Sequence, residues 1–230
     1  GMKHAIHNFL MKLTPEKMVE EIIAGIKREE LGDVKTDSLS DLAQNEYPFI
    51  MDPMPNLYFT RDPGACIGNG INIHHMHTPA RRRESLLLKY IFDYDEDFAA
   101  AGNYQWYDIY DDYSIEGGDV LVLSNKVVAV GFSERTSIAG IESFAHKLLK
   151  NSEFKKVIVF DIPKCRAFMH LDTVMTRVDY DKFAVHSQVM NVSDVYELSL
   201  ENNEFNDYTK WYDYAHLNSM EIDKNDNNII

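Results

Sequence analysis

The sequence predicts an α/β fold built from repeated ββαβ modules, with a helical element ahead of them. Three observations predict it. A hairpin pattern recurs three times through the middle of the chain, and an ionisable residue stands at the head of each hairpin. The spacing is constant: 54 residues separate Asp62 from Glu116, Glu116 from His170, and Arg81 from Arg135. A fixed period of this length marks stacked supersecondary units. Radial stacking of such units brings the heads of the hairpins to one centre.

Taken in order, Thr14-Pro15-Glu16 reads as an N-cap, an N1 proline and a first-turn acid. Val19, Ile22, Ile23 and Ile26 follow on one face, with Gly32 at the stop. This predicts one amphipathic helix in a helical region and linker covering 1–46, punctuated towards its end by Pro48, Pro53 and Pro55. The modules are expected over 47–200. In the first, Asn56 to Asp62 leads into an apolar stretch, an Asn69-Gly70 turn, Ile71-Asn72-Ile73 and a helix from Pro79. The stretch from Asp93 to Tyr113 carries seven acids and no base among its aromatics, and reads as a packed long loop. In the second, Glu116-Gly-Gly-Asp119 leads into strands at 120–123 and 127–130. A helix with Ile138, Ile141, Phe144, Ala145 and Leu148 on one face comes next, then a strand at 156–160. In the third, His170-Leu-Asp172 opens strands at 173–178 and 183–186 around Asp179-Tyr180-Asp181. An acidic tail with no clear period, expected to be frayed, occupies 201–230.

The 230 residues include 23 Lys+Arg against 37 Asp+Glu, a net charge of -14, half of whose excess lies after residue 192. So acidic a chain repels a phosphate backbone, and its one basic stripe is Arg81-Arg82-Arg83, so nucleic acid is not an expected partner. No apolar run is long enough to span a bilayer, so neither is a membrane. Cys66 and Cys165 are too few for a disulfide framework and fit a reducing cytoplasm.

The converging residues have a definite chemistry. Asp62 and Asp172 can present carboxylates to a planar cation, for which a guanidinium is the natural match. His170 beside Glu116 suits general acid/base work, its pKa held up by the neighbouring charge. If the site is formed and empty, Asp62, Glu116 or Asp172 should have a raised pKa. Arg81 and Arg135 suit a substrate carboxylate, so the implied ligand is an arginine-like zwitterion.

At these residues the sequence resembles arginine deiminase. Asn56-Leu-Tyr-Phe-Thr-Arg-Asp-Pro63, Pro79-Ala-Arg-Arg-Arg-Glu84, Ser114-Ile-Glu-Gly-Gly-Asp-Val120, Gly131-Phe-Ser-Glu-Arg-Thr136 and Met169-His-Leu-Asp-Thr173 follow the family's order and spacing, nearest the mycoplasma-type members. The resemblance runs from Met2 to about Leu200. It implies the pentein fold, an α/β propeller with a helical insertion, here incomplete at about three of five modules. It implies that Asp62 and Asp172 hold the guanidinium of L-arginine, that His170 shuttles protons, and that Glu116 orients His170. By the same resemblance Arg81 and Arg135 bind the α-carboxylate, Asn56 and Arg61 support that end, and Asp119 buttresses Glu116. No metal or organic cofactor is implied. The family reaction is attack of a cysteine thiolate on the guanidinium carbon, loss of ammonia, and hydrolysis to citrulline.

The sequence departs from the family in one respect that bears on chemistry. The family nucleophile lies in a glycine-rich segment beyond the His-Leu-Asp motif, whereas this chain has no glycine after Gly140 and no cysteine after Cys165. Cys66 and Cys165 are expected to be structural. The reading is therefore a truncated or degenerate copy, inactive alone, that forms a homo-oligomer through exposed module edges. The alternative is a catalytically dead arginine-binding or interaction protein. Two further rivals are an agmatine deiminase or amidinotransferase, whose agmatine would leave the arginine pair without a carboxylate, and a metal hydrolase using His74, His75, His77 and the His170-Leu-Asp172 pair.

Overall fold

A computed structural model describes residues 2–32, 39, 47–100, 104–191, 193–201, 204–205 and 209–211. The chain divides into two units, Gly1–Tyr58 and Phe59–Ile230. The first holds helices α1 (Met2–Leu10), α2 (Pro15–Ala24) and α3 (Arg28–Leu31), with a short antiparallel pair of β1 (Ile26–Lys27) and β2 (Phe49–Met51). Thr14 caps α2 as predicted, its hydroxyl accepting the Lys17 amide at 3.4 Å. The helix does not run on to Gly32. Gly25 adopts φ 83°, and a Cβ there would lie 2.6 Å from the Pro53 nitrogen, so only glycine fits. The chain turns at Gly25, and Ile26 becomes a buried strand residue instead of the last member of a helical stripe.

In the second unit the first module comprises β3 (Gly64–Ile67), β4 (Gly70–Ile73), helix α4 (Arg82–Tyr94) with the short α5 (Glu96–Ala100), and β5 (Tyr104–Tyr107). β3 and β4 form the predicted hairpin, and β5 joins β4 in parallel. The expected 93–113 loop therefore contains the strand that completes a ββαβ module. Trp106 and Tyr107 on β5 are fully buried, and the Trp106 indole donates to the Ile67 carbonyl at 2.9 Å.

The second module comprises β6 (Val120–Val122), β7 (Val127–Phe132), α6 (Ile138–Asn151) and β8 (Lys156–Asp161). β6 and β7 are antiparallel, and β7 and β8 parallel. Ser137 caps α6 by accepting the Gly140 amide. Ile141, Phe144, Ala145 and Leu148 of α6 pack with Val128, Val130, Val157 and Ile67 in the main core, while Ile138, predicted on that face, is half exposed.

The third module opens on a separate hairpin, β9 (Met175–Asp179) with β10 (Lys182–Val185), followed by the single-turn helix α7 (Ser187–Met190) and β11 (Asp194–Leu198). β11 does not return parallel to β10. Only residues 186–193 separate the two strands, and a parallel crossover needs a dozen or so residues. β11 instead adds antiparallel to β8, which gives a five-stranded sheet in the order β14-β11-β8-β7-β6. Part of the predicted tail is ordered as strands β12 (Leu200–Glu201), β13 (Glu204–Phe205) and β14 (Thr209–Trp211). Residues 212–230, the end expected to fray, lie outside the described residues.

Candidate functional site

Each module places its marked residue just before its first strand. Asp62 precedes β3, Glu116 precedes the 3-10 turn Gly117–Asp119 and β6, and His170 precedes the 3-10 turn Leu171–Thr173 and β9. The 54-residue period thus corresponds to one repeated position in the fold, and the structure brings the three together. The His170 Nε2 lies 2.8 Å from a Glu116 Oε, and its Nδ1 lies 3.9 Å from an Asp62 Oδ. Among the predicted residues, Asn56 alone falls in the first unit.

Glu116 is fully buried. Its second oxygen accepts the His77 amide at 3.0 Å, and its own amide donates to the Thr136 hydroxyl. Burial works to raise its pKa, but the His170 hydrogen bond and charge, with the His77 amide, outweigh burial and hold it below the usual carboxylate range. For His170, burial works to lower the imidazole; the Glu116 hydrogen bond and the charges of Asp119, Glu116 and Asp62 outweigh it and raise the pKa. Both shifts favour the charged forms of the pair, whose attraction is strengthened by burial.

The Asp119 side chain reaches Glu116 through Thr136, whose hydroxyl donates to Asp119 and accepts the Glu116 amide at 3.1 Å. One Asp119 oxygen accepts the Leu171 amide at 2.8 Å and the other the Ser133 hydroxyl at 2.7 Å. Asp119 thereby fastens the turn that carries His170, and burial lifts its pKa to about 6 against the opposing influence of His170 and these donors. Gly118 completes the seat of the imidazole: a Cβ there would stand 2.5 Å from the His170 Nδ1.

The arginines differ from the expected matched clamp. Arg81 is buried and already neutralised, by Asp62 at 2.7 Å and by Glu84 through both carboxylate oxygens. Glu84 was not among the predicted residues, although Arg81-x-x-Glu84 is the spacing of a helical ion pair. Arg135 donates to the Thr78 hydroxyl at 2.6 Å and lies 3.8 Å from the Met169 sulfur, while its buried Nε has no hydrogen-bond partner among the described residues. Arg61 pairs with Asp172 at 2.9 Å across a half-exposed contact. Asp172 has a raised pKa, chiefly from burial, with Arg61 opposing. Of the three carboxylates expected to rise in an empty site, Asp172 does so and Glu116 does not, because His170 supplies the missing cation.

Arg61 and Asp172 line a cavity of about 690 Å³ together with Cys66, Thr176 and Arg177. Cys66 and Cys165 are both exposed, not packed as small core residues. The three neighbouring histidines serve separate purposes. His74 Nδ1 meets the Asp62 carbonyl at 2.8 Å, His75 Nδ1 meets the Ile109 carbonyl at 3.1 Å, and His77 uses its amide on Glu116. Among the described residues, no group of three or more His, Cys, Asp or Glu is arranged to hold a metal ion. No described helix is long and apolar enough to cross a membrane.

Comparison with known proteins agrees with the geometry. The sequence matches the arginine deiminase family over residues 2–230. It is 47% identical over 201 residues to an arginine deiminase of Clostridium perfringens, covering 86% of this chain and 49% of that protein. It is 45% identical over 217 residues to an arginine deiminase of Staphylococcus haemolyticus, covering 94% of this chain and 50% of that protein. The chain thus spans about half the length of the curated relatives it matches. Among solved structures, the product-bound N-terminal domain of ArgZ, a cyanobacterial arginine dihydrolase, matches at 18% identity with a TM-score of 0.48, covering 74% of this chain and 64% of that one. The described residues form α/β modules with mixed sheets. The chain belongs to the arginine deiminase family.

Proposed function

We propose that this chain carries the arginine-recognition and proton-transfer part of an arginine deiminase, and that as a 230-residue polypeptide it binds L-arginine without turning it over. The observation that carries this reading is the buried His170–Glu116 pair facing Asp62, with Arg135 nearby holding a guanidinium nitrogen unpartnered among the described residues. Carboxylates at Asp62 and Asp172 suit the guanidinium of the ligand, and Arg135 suits its carboxylate. His170, its pKa raised beside Glu116, can give a proton to a departing ammonia and take one from water. Deimination also needs a thiolate to attack the guanidinium carbon. Cys66 and Cys165 are exposed and, among the described residues, stand outside the hydrogen bonds around His170.

Calorimetry with L-arginine, paired with a citrulline assay on the same sample, tests the reading. Saturable binding with no citrulline is expected. Turnover at an enzyme-like rate would overturn the inactivity, and no binding would overturn the recognition. The same reading places the protein in the cytoplasm and has it self-associate through the edges of β3 and β5, which no strand among the described residues pairs, so a concentration-independent monomer in sedimentation would remove that part.

A further inference from the structure

We propose that His74 is a positioning residue for guanidinium recognition: it locks the main chain of Asp62, and with it the carboxylate that faces His170. This rests on the binding role given to Asp62 above. His74 follows directly after β4 and is fully buried. It grips the segment ahead of β3 twice. Its amide donates to the Pro63 carbonyl at 2.9 Å, and its Nδ1 lies 2.8 Å from the Asp62 carbonyl. A carbonyl can only accept, so the imidazole proton sits on Nδ1 and Nε2 is the bare nitrogen. That Nε2 is buried without a hydrogen-bond partner among the described residues.

The Asp62 carbonyl takes a second donor, the Gly117 amide at 3.0 Å. Asp62 is thereby held between its own module through His74 and the second module through Gly117. Its side chain is held less firmly, by Arg81 on one oxygen and by His170 at 3.9 Å on the other. A ligand that displaces Arg81 from Asp62 leaves the carboxylate positioned by its main chain, so the His74 hydrogen bond sets where the ligand finds it. The charge of His74 matters as well. Burial lowers its pKa to about 4, and a neutral imidazole leaves the negative charge of Asp62 and Glu116 available to a cation.

Two variants and one spectrum test this. His74→Asn can keep a donor to the Asp62 carbonyl, whereas His74→Leu removes it at similar bulk. In calorimetry with L-arginine, His74→Leu is expected to lose about tenfold or more in affinity, as for one hydrogen bond to a site group, and His74→Asn to stay within about threefold. Equal binding by wild type and a folded His74→Leu would overturn the proposal, as would equal losses in both variants. The His170 titration followed by NMR is a second readout, since a released Asp62 no longer raises the His170 pKa. The titration midpoint should fall in His74→Leu and hold in His74→Asn. This decides the matter even if the wild type fails to bind arginine, an outcome that would sink the proposed function alone. Should His74→Leu not fold, nitrogen NMR of the wild type is decisive. A His74 ring protonated on Nε2, or titrating near the free-histidine value, would overturn the assignment.

Discussion

Gly118→Ala is the smallest change that should dismantle the site. The added Cβ would stand 2.5 Å from His170 Nδ1, 2.6 Å from its Cγ and 2.8 Å from its Cβ. Ordinary contact begins near 3.4 Å, so the ring must retreat by about 0.8–0.9 Å. Its Nε2 is bound to Glu116 at 2.8 Å, and both residues are buried, so the lost bond is not replaced by bulk water. Overpacking of this kind costs about 1–3 kcal/mol, and a buried carboxylate deprived of its donor adds about 1–3 kcal/mol. The sign of the pH effect follows from the wild type. The folded-state pKa of His170 is raised above 6.5, so its contribution to stability is complete below that value and is lost as pH rises through the folded value. In Gly118→Ala the Glu116 hydrogen bond no longer offsets burial, the His170 pKa falls, and the contribution shrinks. NMR titration of the imidazole, thermal melting from acid to alkaline pH, and arginine calorimetry measure the three consequences. A variant that keeps the raised His170 pKa and wild-type affinity would refute the claim that Gly118 seats the ring.

Further substitutions probe the other supports. Ser133→Ala removes one donor from Asp119, whose pKa already stands at about 6. A loss of about 1–3 kcal/mol is expected near neutral pH, shrinking in melts at acid pH, where Asp119 is protonated. Phe144→Ala opens a cavity where α6 meets the sheet, and should cost about 3–5 kcal/mol by chemical denaturation. His74→Asn should change the acid limb of the stability curve. The depressed pKa of His74 gives stability present above pH 6.5 and lost as pH falls through about 4, worth about 3 kcal/mol. Asp119 works the opposite way between 3.8 and about 6, so the variant should grow more stable on acidification. Arg61→Ala separates two roles for that residue. If Arg61 only occupies Asp172 when ligand is absent, arginine affinity holds or improves in calorimetry; a tenfold loss would place Arg61 in the binding of substrate.

The sequence period identified equivalent places in the fold, but it could not show which side chains meet there. Asp62, Glu116 and His170 were legible because each stands at the head of a strand and the strands recur at one interval. The partner of Asp119 was not legible. The Gly117–Asp119 turn carries its side chain to the Leu171 amide, 52 residues on, and no local pattern records that contact. β5 was missed because Tyr104-Gln-Trp-Tyr107 lies among acids, and its pairing with β4 depends on a crossover helix. The break in the first predicted helix was hidden for a related reason. Gly25 has a space problem set by Met51 and Pro53, more than twenty residues away, while the apolar stripe continues through Ile26. The third module shows the same limit from the other side, since its hairpin pattern is regular yet its last strand joins a different sheet.

On the proposed reading, the pairing of charges in the site bears on how arginine is told from simpler guanidines. Asp62 is paired with Arg81, Asp172 with Arg61, and Glu116 with His170. A ligand guanidinium therefore exchanges for a protein guanidinium at either aspartate, and exchange of like for like yields little net energy. The exchange is easiest at Asp172, because Arg61 is about half exposed and such a pair contributes only about 0–1 kcal/mol. It is harder at Asp62, where Arg81 is buried, although Glu84 remains to neutralise Arg81 if Asp62 is withdrawn. Arg135 is different: it carries no ion pair among the described residues, although Glu116 feels its charge. A carboxylate arriving there gains a hydrogen-bonded partner without displacing one. On the proposed reading, the guanidinium end of the ligand then supplies placement and the carboxylate end supplies most of the net affinity, so a ligand with the guanidinium but no carboxylate binds poorly.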